Sequence, residues 1–217
     1  MEPTIYKPSI YKGAGIYKNG AEGGGAYIGG KRYKTVVMPD GKEWLAENLD
    51  FKFCYIGSGG SPTTPNAWYY NNDEPVFGWN GYKCGLLYNW YAVKFLNDNK
   101  SDLCPGWHAP TDSEWSTLVT ACGDDAGTKL KAIDNSVVPG FPSAWNGTDN
   151  FRFSILPAGY RMAGTFQNIG SSSPIWTCSD TLYDAGIQYY LEYNSSNVGR
   201  SEGNSKVEAF SLRLVKD

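Results

Sequence analysis

One histidine, five cysteines and scattered carboxylates are the groups in this chain that could do covalent or metal chemistry, and their spacing argues against most of it. His108 is alone, so neither a histidine cluster for zinc nor a second histidine for proton relay can form, and a metal would have to be held by oxygens or thiolates. Cys54, Cys84, Cys104, Cys122 and Cys178 are odd in number and lack CxxC spacing, which argues against a zinc ribbon or a complete disulfide framework. Buried, reduced thiols are expected. Asp124 and Asp125 follow a helix end and read as solvated turn residues, while Asp112 and Glu114 fall in a first helical turn, where the helix dipole and a capping box account for them. His108 reads as a hydrogen-bonded structural residue, and Arg161 and Arg213 as framework donors. No catalytic residue and no metal ligand is assigned, although a structural calcium ion held by loop carboxylates is left open.

The elements that would position these groups follow from periodicity. Lys34-Thr35-Val36-Val37-Met38, a turn at Pro39-Asp40-Gly41-Lys42 and a return at Glu43-Trp44-Leu45-Ala46 predict a hairpin. A helix near Tyr88–Leu96 would present Tyr88, Tyr91, Ala92 and Phe95 on one face. A second is better specified: Thr111 with Glu114 forms a capping box, Trp115, Leu118, Val119 and Cys122 make an apolar stripe, and Gly123 stops it. Cys122 is thereby read as core. Beyond Gly123 the period becomes two, predicting strands at Phe151-Phe153-Ile155, at Tyr189-Leu191-Tyr193 and at Phe210-Leu212-Leu214, the last two with one buried face. Between these last two, residues 194–206 are mostly polar and read as a long exposed connection.

Twenty-six glycines, sixteen tyrosines and eight tryptophans favour β structure packed around bends over a helical bundle. Nineteen Lys plus Arg against twenty-two Asp plus Glu leave no basic field for phosphate backbones, so nucleic acid is not expected as a partner, and no apolar run is long enough to predict a membrane span. Residues 1–30 differ from the rest: Ile5-Tyr6-Lys7, Ile10-Tyr11-Lys12 and Ile16-Tyr17-Lys18 precede Gly23-Gly24-Gly25 and Gly29-Gly30, an extended segment read as a device for assembly or anchoring. Met1-Glu2-Pro3-Thr4 carries no leader-like basic and apolar stretch, so export is expected by another route, such as in a virion, or after removal of a leader. Residues 31–217 read as one domain.

Four motifs then point to a family. Val37 to Leu49 (Pro39-Asp40-Gly41-Lys42-Glu43-Trp44-Leu45-Ala46-Glu47-Asn48 within it), Leu87-Tyr88-Asn89-Trp90-Tyr91-Ala92-Val93, Cys104-Pro105-Gly106-Trp107-His108-Ala109-Pro110-Thr111 and Phe153-Ser154-Ile155-Leu156-Pro157-Ala158-Gly159-Tyr160-Arg161 closely resemble the Fibrobacter succinogenes major paralogous domain. That domain is a branch of the C-type-lectin fold related to the formylglycine-generating enzyme. The resemblance implies an α+β, C-type-lectin-like domain in which terminal strands pair, two helices flank them and a loop-rich antiparallel β region presents the binding surface.

A narrower likeness concerns the C-terminal part. Ile175-Trp176-Thr177-Cys178-Ser179, Tyr193-Asn194-Ser195-Ser196-Asn197-Val198 and Phe210 to Asp217 resemble the variable region of proteins diversified by retroelements in gut Bacteroidetes and their phages. By that resemblance a variable region at about 176–210 would set Tyr183, Asp184, Tyr190, Glu192, Gly199, Arg200, Ser201, Gly203, Asn204 and Ser205 among fixed apolar residues. If Tyr189 and Leu191 point inward, Tyr190 points out, and Tyr among Ser, Gly and Asn is the composition of adaptable binding loops. Those residues are the expected ligand-binding set. The expected role is recognition of a host cell-surface protein or glycan by a phage tail-tip or fibre protein, as a homotrimer located in the virion tail. A bacterial surface, secreted or pilus adhesin is the alternative. An enzyme of the formylglycine-generating type would need a reactive thiol pair, and Cys178 has no neighbouring cysteine. A calcium-dependent sugar site of the lectin type is echoed only in part, at Trp145-Asn146-Gly147-Thr148-Asp149.

Overall fold

The structure, a computed structural model, describes residues 25–57, 61, 63–72, 84–133 and 145–217. Strand β1 (Gly25–Ile28) runs antiparallel to β2 (Lys31–Val37), and Ala26 and Ile28 are buried in the core. The folded domain therefore includes residues 25–30 and does not start at residue 31. Gly29 makes the intervening turn with φ of 58°, and a Cβ there would meet the Phe51 ring at 2.1 Å. Residues 1–24, with the Ile-Tyr-Lys repeats, lie outside the described residues.

The next hairpin closes on β3 (Glu43–Leu45) where the turn chemistry placed it. Gly41 and Met38 hydrogen-bond across it at 2.9 Å, and Asp40 accepts from the indole N–H of the fully buried Trp44 at 3.0 Å. Then β4 (Tyr55–Ile56), β5 (Asn66–Trp68) and β6 (Leu87–Asn89) lead into helix α1 (Trp90–Asp98). Asn89 caps that helix by accepting from the Ala92 N–H. Tyr88 consequently belongs to a strand, and the buried stripe is Trp90, Ala92, Val93 and Leu96, not the expected Tyr88, Tyr91, Ala92 and Phe95. After α2 (Lys100–Leu103) and β7 (Trp107–His108), helix α3 (Asp112–Cys122) carries the full capping box of Thr111 and Glu114 and ends at Gly123. The single turn α4 (Ala126–Leu130) is too short to announce itself by periodicity, so the described residues hold four α-helices where two were expected.

Residues 151–155 are not a strand. Arg152 and Ser154 have φ near 57° and 56°, and Ile155 makes only an isolated bridge to Lys131. Phe153 and Ile155 are nevertheless fully buried, so their alternation reported burial and not extended backbone. The remaining strands are β8 (Ala158–Met162), β9 (Thr165–Ile169), β10 (Ser172–Asp180), β11 (Gly186–Glu192), β12 (Gly199–Asn204), β13 (Ala209–Phe210) and β14 (Val215–Lys216). Strand β12 corrects the reading of 194–206 as an exposed connection. Its sequence has little intrinsic strand preference, and its pairing with β11 is what extends it.

Among the described residues three sheets result, ordered β1-β2-β3-β14-β7, β4-β5-β6-β13-β8-β9 and β10-β11-β12, and the class is α+β. The third sheet divides the core. Ile175, Tyr189 and Leu191 belong to a cluster with Trp115 and Trp145, whereas Trp176 packs with Trp90 and with Phe210, its ring 4.3 Å from that of Phe210. The 209–215 stretch is buried on both faces, not one: Ser211 and Arg213 are as enclosed as Phe210 and Leu212. Arg213 donates to Asn48 Oδ1 at 2.9 Å, to Ser154 O at 2.9 Å and to the carbonyls of Leu45 and Phe153, which fulfils its expected role as a framework donor. Arg161 instead stacks its guanidinium over Trp68, 4.4 Å from the ring centroid. Among the described residues no helix is long and apolar enough to cross a membrane.

Candidate ligand-binding surface

Alternation along β11 decides which side chains face solvent. Ile187, Tyr189 and Leu191 are buried, and Gln188, Tyr190 and Glu192 are half-buried on the opposite face. The register pairs Tyr190 with Gly199, Gln188 with Ser201 and Tyr189 with Arg200. Gly199 matters because the Tyr190 ring lies directly on it: a Cβ there would sit 2.2 Å from Tyr190 Cζ. The ring is thus laid against the Gly199 backbone and is half-buried. Glu192 accepts from Ser172 Oγ at 3.0 Å, and burial raises its carboxyl pKa.

Arg200, paired with Tyr189, lies on the other face from Tyr190. Its guanidinium binds Asp112 in a two-pronged ion pair, Nε to Oδ1 at 2.8 Å and Nη2 to Oδ2 at 2.9 Å. Tyr189 donates to the same carboxylate at 2.9 Å and stacks on Trp115, ring centroids 5.4 Å apart. With Arg200 beside it, Asp112 has its pKa held below the usual carboxylate range. Asn204 is not a surface residue either: 8% exposed, it donates to the carbonyls of Gly186 and Ser201 and accepts from Gln188, tying the strand ends together. Ser201 is half-buried, while Gly203 and Ser205 are exposed and no atom would obstruct a side chain at Gly203.

At the far end, the β10–β11 turn projects Leu182 and Tyr183 almost wholly into solvent. Thr181 locks this turn, its N–H donating to Ala185 O at 2.8 Å and its Oγ1 accepting from Tyr183 and Ala185. Asp184, with φ of 61°, and Asp180 both pair with Lys206, whose ammonium also lies 4.1 Å from the Trp90 ring centroid. Burial works against that ammonium, yet the two aspartates keep its pKa above the ordinary value. Leu182 was missed from sequence, although an aliphatic side chain in a polar turn was the available signal. The expected set therefore divides. Gly186 opposite Asn204 places Tyr183, Asp184, Gly203 and Ser205 around the tip, Tyr190, Glu192, Gly199 and Ser201 run along the outer face, and Arg200 and Asn204 hold the hairpin from other sides.

The other reactive groups are built into the scaffold. His108 is held between Asp217 at Nδ1 (2.7 Å) and Glu114 at Nε2 (2.9 Å), and hydrogen bonding to Glu114 raises its pKa. Burial lifts the Cys122 and Cys178 thiols to about 11. Among the described residues no group of three or more His, Cys, Asp or Glu could hold a metal ion.

Fold and surface together define a mixed α+β domain that carries an anchored antiparallel hairpin with an apolar tip. The chain belongs to the Fibrobacter succinogenes major domain family, whose sequence profile matches residues 38–216 and so takes in the whole hairpin. No curated protein and no solved structure matches it.

Proposed function

We propose that this protein is a receptor-binding module of C-type-lectin-like type, carried on a phage tail tip or fibre, that recognises a host cell-surface protein or glycan through the β11–β12 hairpin. The observation that carries this reading is Tyr190, a rigid amphipathic ring laid over Gly199 on an outer face whose inner face is fixed to the core. Exchangeable residues on the open side of a fixed hairpin fit a surface diversified by a retroelement over about 176–210. Assembly as a homotrimer or onto a tail scaffold through the N-terminal segment belongs to the same proposal, as does the adhesin alternative on a bacterial surface. Catalysis of the formylglycine-generating type is not proposed, because it would need a reactive thiol pair and Cys178 has no cysteine near it in the sequence.

The test is staining of intact Bacteroidetes cells by the labelled full chain and its Tyr190→Ala variant. On cells the parent stains, loss of the ring should weaken binding by on the order of 2 kcal/mol, with the melting temperature unchanged. Equal staining by both proteins would remove Tyr190 from the site. Staining of no strain in a broad panel would refute the receptor reading.

A further inference from the structure

At the opposite end of the hairpin from Leu182, the β11–β12 turn (193–198) is held by an unusual partner. Lys131 is completely buried, and among the described residues no carboxylate pairs with its ammonium. Instead the ammonium donates to the main-chain carbonyls of Glu192 at 2.8 Å and Ser195 at 2.7 Å and to Asn146 Oδ1, and it lies 5.0 Å from the Trp145 ring centroid. Two more carbonyls of the turn are taken by backbone donors, Ser196 O by the Gly127 N–H at 2.8 Å and Tyr193 O by the Asn146 N–H at 3.3 Å. Gly127 allows the close approach, since a Cβ there would meet Asn197 O at 2.5 Å. The turn is gripped by three of its own carbonyl groups and by that of Glu192 at the end of β11, and every residue type supplies a carbonyl. The side chains of Asn194 and Asn197 take no part in the grip and are exposed.

We propose that Lys131 is a positioning residue that holds the β11–β12 turn by its main chain, so that Asn194 and Asn197 are displayed as exchangeable contact residues continuous with the outer face. The display role rests on the receptor reading above; the clamp does not. The ammonium supplies, from within the chain, the positive centre that an oxygen cage of this kind requires, and a buried cation without its oxygens would be strongly disfavoured. Ser195 is less free than its neighbours, because its hydroxyl accepts from the Asn197 N–H at 3.1 Å. Burial brings the Lys131 pKa down to about 8, which puts loss of its charge within reach of a mild alkaline titration. Glu192 on β11 is the charged group whose field reaches the ammonium. Lys129 of α4 turns its own ammonium to Cys122 O, and Asp149 turns its carboxylate to Ser154.

Amide hydrogen exchange on the full chain tests the clamp. Gly127 and Asn146 are the reporters, because their N–H groups donate to the turn. Lys131→Met should speed exchange at both by about tenfold or more while α3 amides keep their protection. Asn194→Tyr combined with Asn197→Tyr should change neither reporter by more than about twofold. Raising the pH of the parent protein through about 8 should loosen the same two amides beyond the intrinsic rate increase. Unchanged reporters in Lys131→Met, or across the titration, would overturn the clamp, and equal loosening by the two tyrosines would overturn its independence of side chains. If Lys131→Met does not fold, Gly127→Ala displaces the turn at Asn197 O, and an Asn146 amide as protected as in the parent would overturn the proposal. The doubly substituted protein should also stain cells about tenfold more weakly or more strongly than the parent. Unchanged staining would overturn the display role while leaving the clamp in place.

Discussion

Replacing Asp112 by alanine separates a locked Arg200 from a freely exposed one. The carboxylate accepts a phenolic hydrogen bond from the mostly buried Tyr189 and two from Arg200, and it sits in the first turn of α3. A hydrogen bond to a charged acceptor is worth about 1.5 kcal/mol. The Arg200 side chain is 38% exposed, so solvent screening limits that pair to about 0.5 kcal/mol. A first-turn carboxylate adds about 0.5 kcal/mol through the helix dipole. Asp112→Ala should therefore lower unfolding free energy by about 2 to 3 kcal/mol, and Arg200→Ala by about 0.5 to 1 kcal/mol, in urea titrations with equal m-values. In the double-mutant cycle the two should couple by about 0.5 kcal/mol, because each loses a shared contact. A coupling indistinguishable from zero, or an Asp112→Ala cost under about 1 kcal/mol, would refute the assignment of Arg200 to the scaffold and return it to the ligand-contact set.

Trp115→Ala should cost about 3 to 5 kcal/mol by thermal or urea unfolding, since it empties a fully buried site between Trp44, Phe153 and Tyr189; a cost near 1 kcal/mol would contradict that packing. His108 gives a pH signature whose sign is fixed by its raised pKa: its stabilisation is complete below the ordinary histidine value near 6.5 and is lost as pH rises through the higher folded value. The gap in urea midpoint between the parent and His108→Gln should then be larger at about pH 5.5 than at about pH 8.5, and a gap that grows with pH would contradict the two-carboxylate cradle.

How much of this was legible depends on whether the determinant is local. The Thr111–Glu114 capping box, the Pro39–Lys42 turn and the inward Tyr189 and Leu191 of β11 are written within a few residues and are found where sequence placed them, whereas Tyr193 lies beyond the strand and is half-buried. What was hidden depends on distant partners. Nothing near Arg152 or Ser154 announces a left-handed backbone; the Phe153 and Ser154 carbonyls turn to Arg213, about sixty positions along the chain. Gly199-Arg200-Ser201-Glu202-Gly203-Asn204 reads as a loop by propensity and becomes a strand through pairing with β11. Asn204 and Lys131 have surface-type side chains in the core, which composition assigns outside and only their hydrogen-bond partners bring in. The same limit applied to the candidate surface, where Tyr190 could be oriented by parity but the opposite orientation of Arg200 required the strand register.

The position of β14 bears on how the chain can be made. It lies between β3 and β7, and the segment before it supplies Leu212 and Leu214 carbonyls to Leu49 and Leu45 and the Arg213 side chain to Asn48, a contact spanning 165 residues. During synthesis the early hairpin would leave the ribosome with its inner edge unpaired and its buried tryptophan uncovered until residues 209–216 follow. Closure of so many non-local contacts implies slow folding, with an open strand edge as the hazard until this segment arrives. A chain cut short before Leu212 should consequently accumulate as aggregate and not as a partly folded domain, even though most of its hydrophobic core has already been translated.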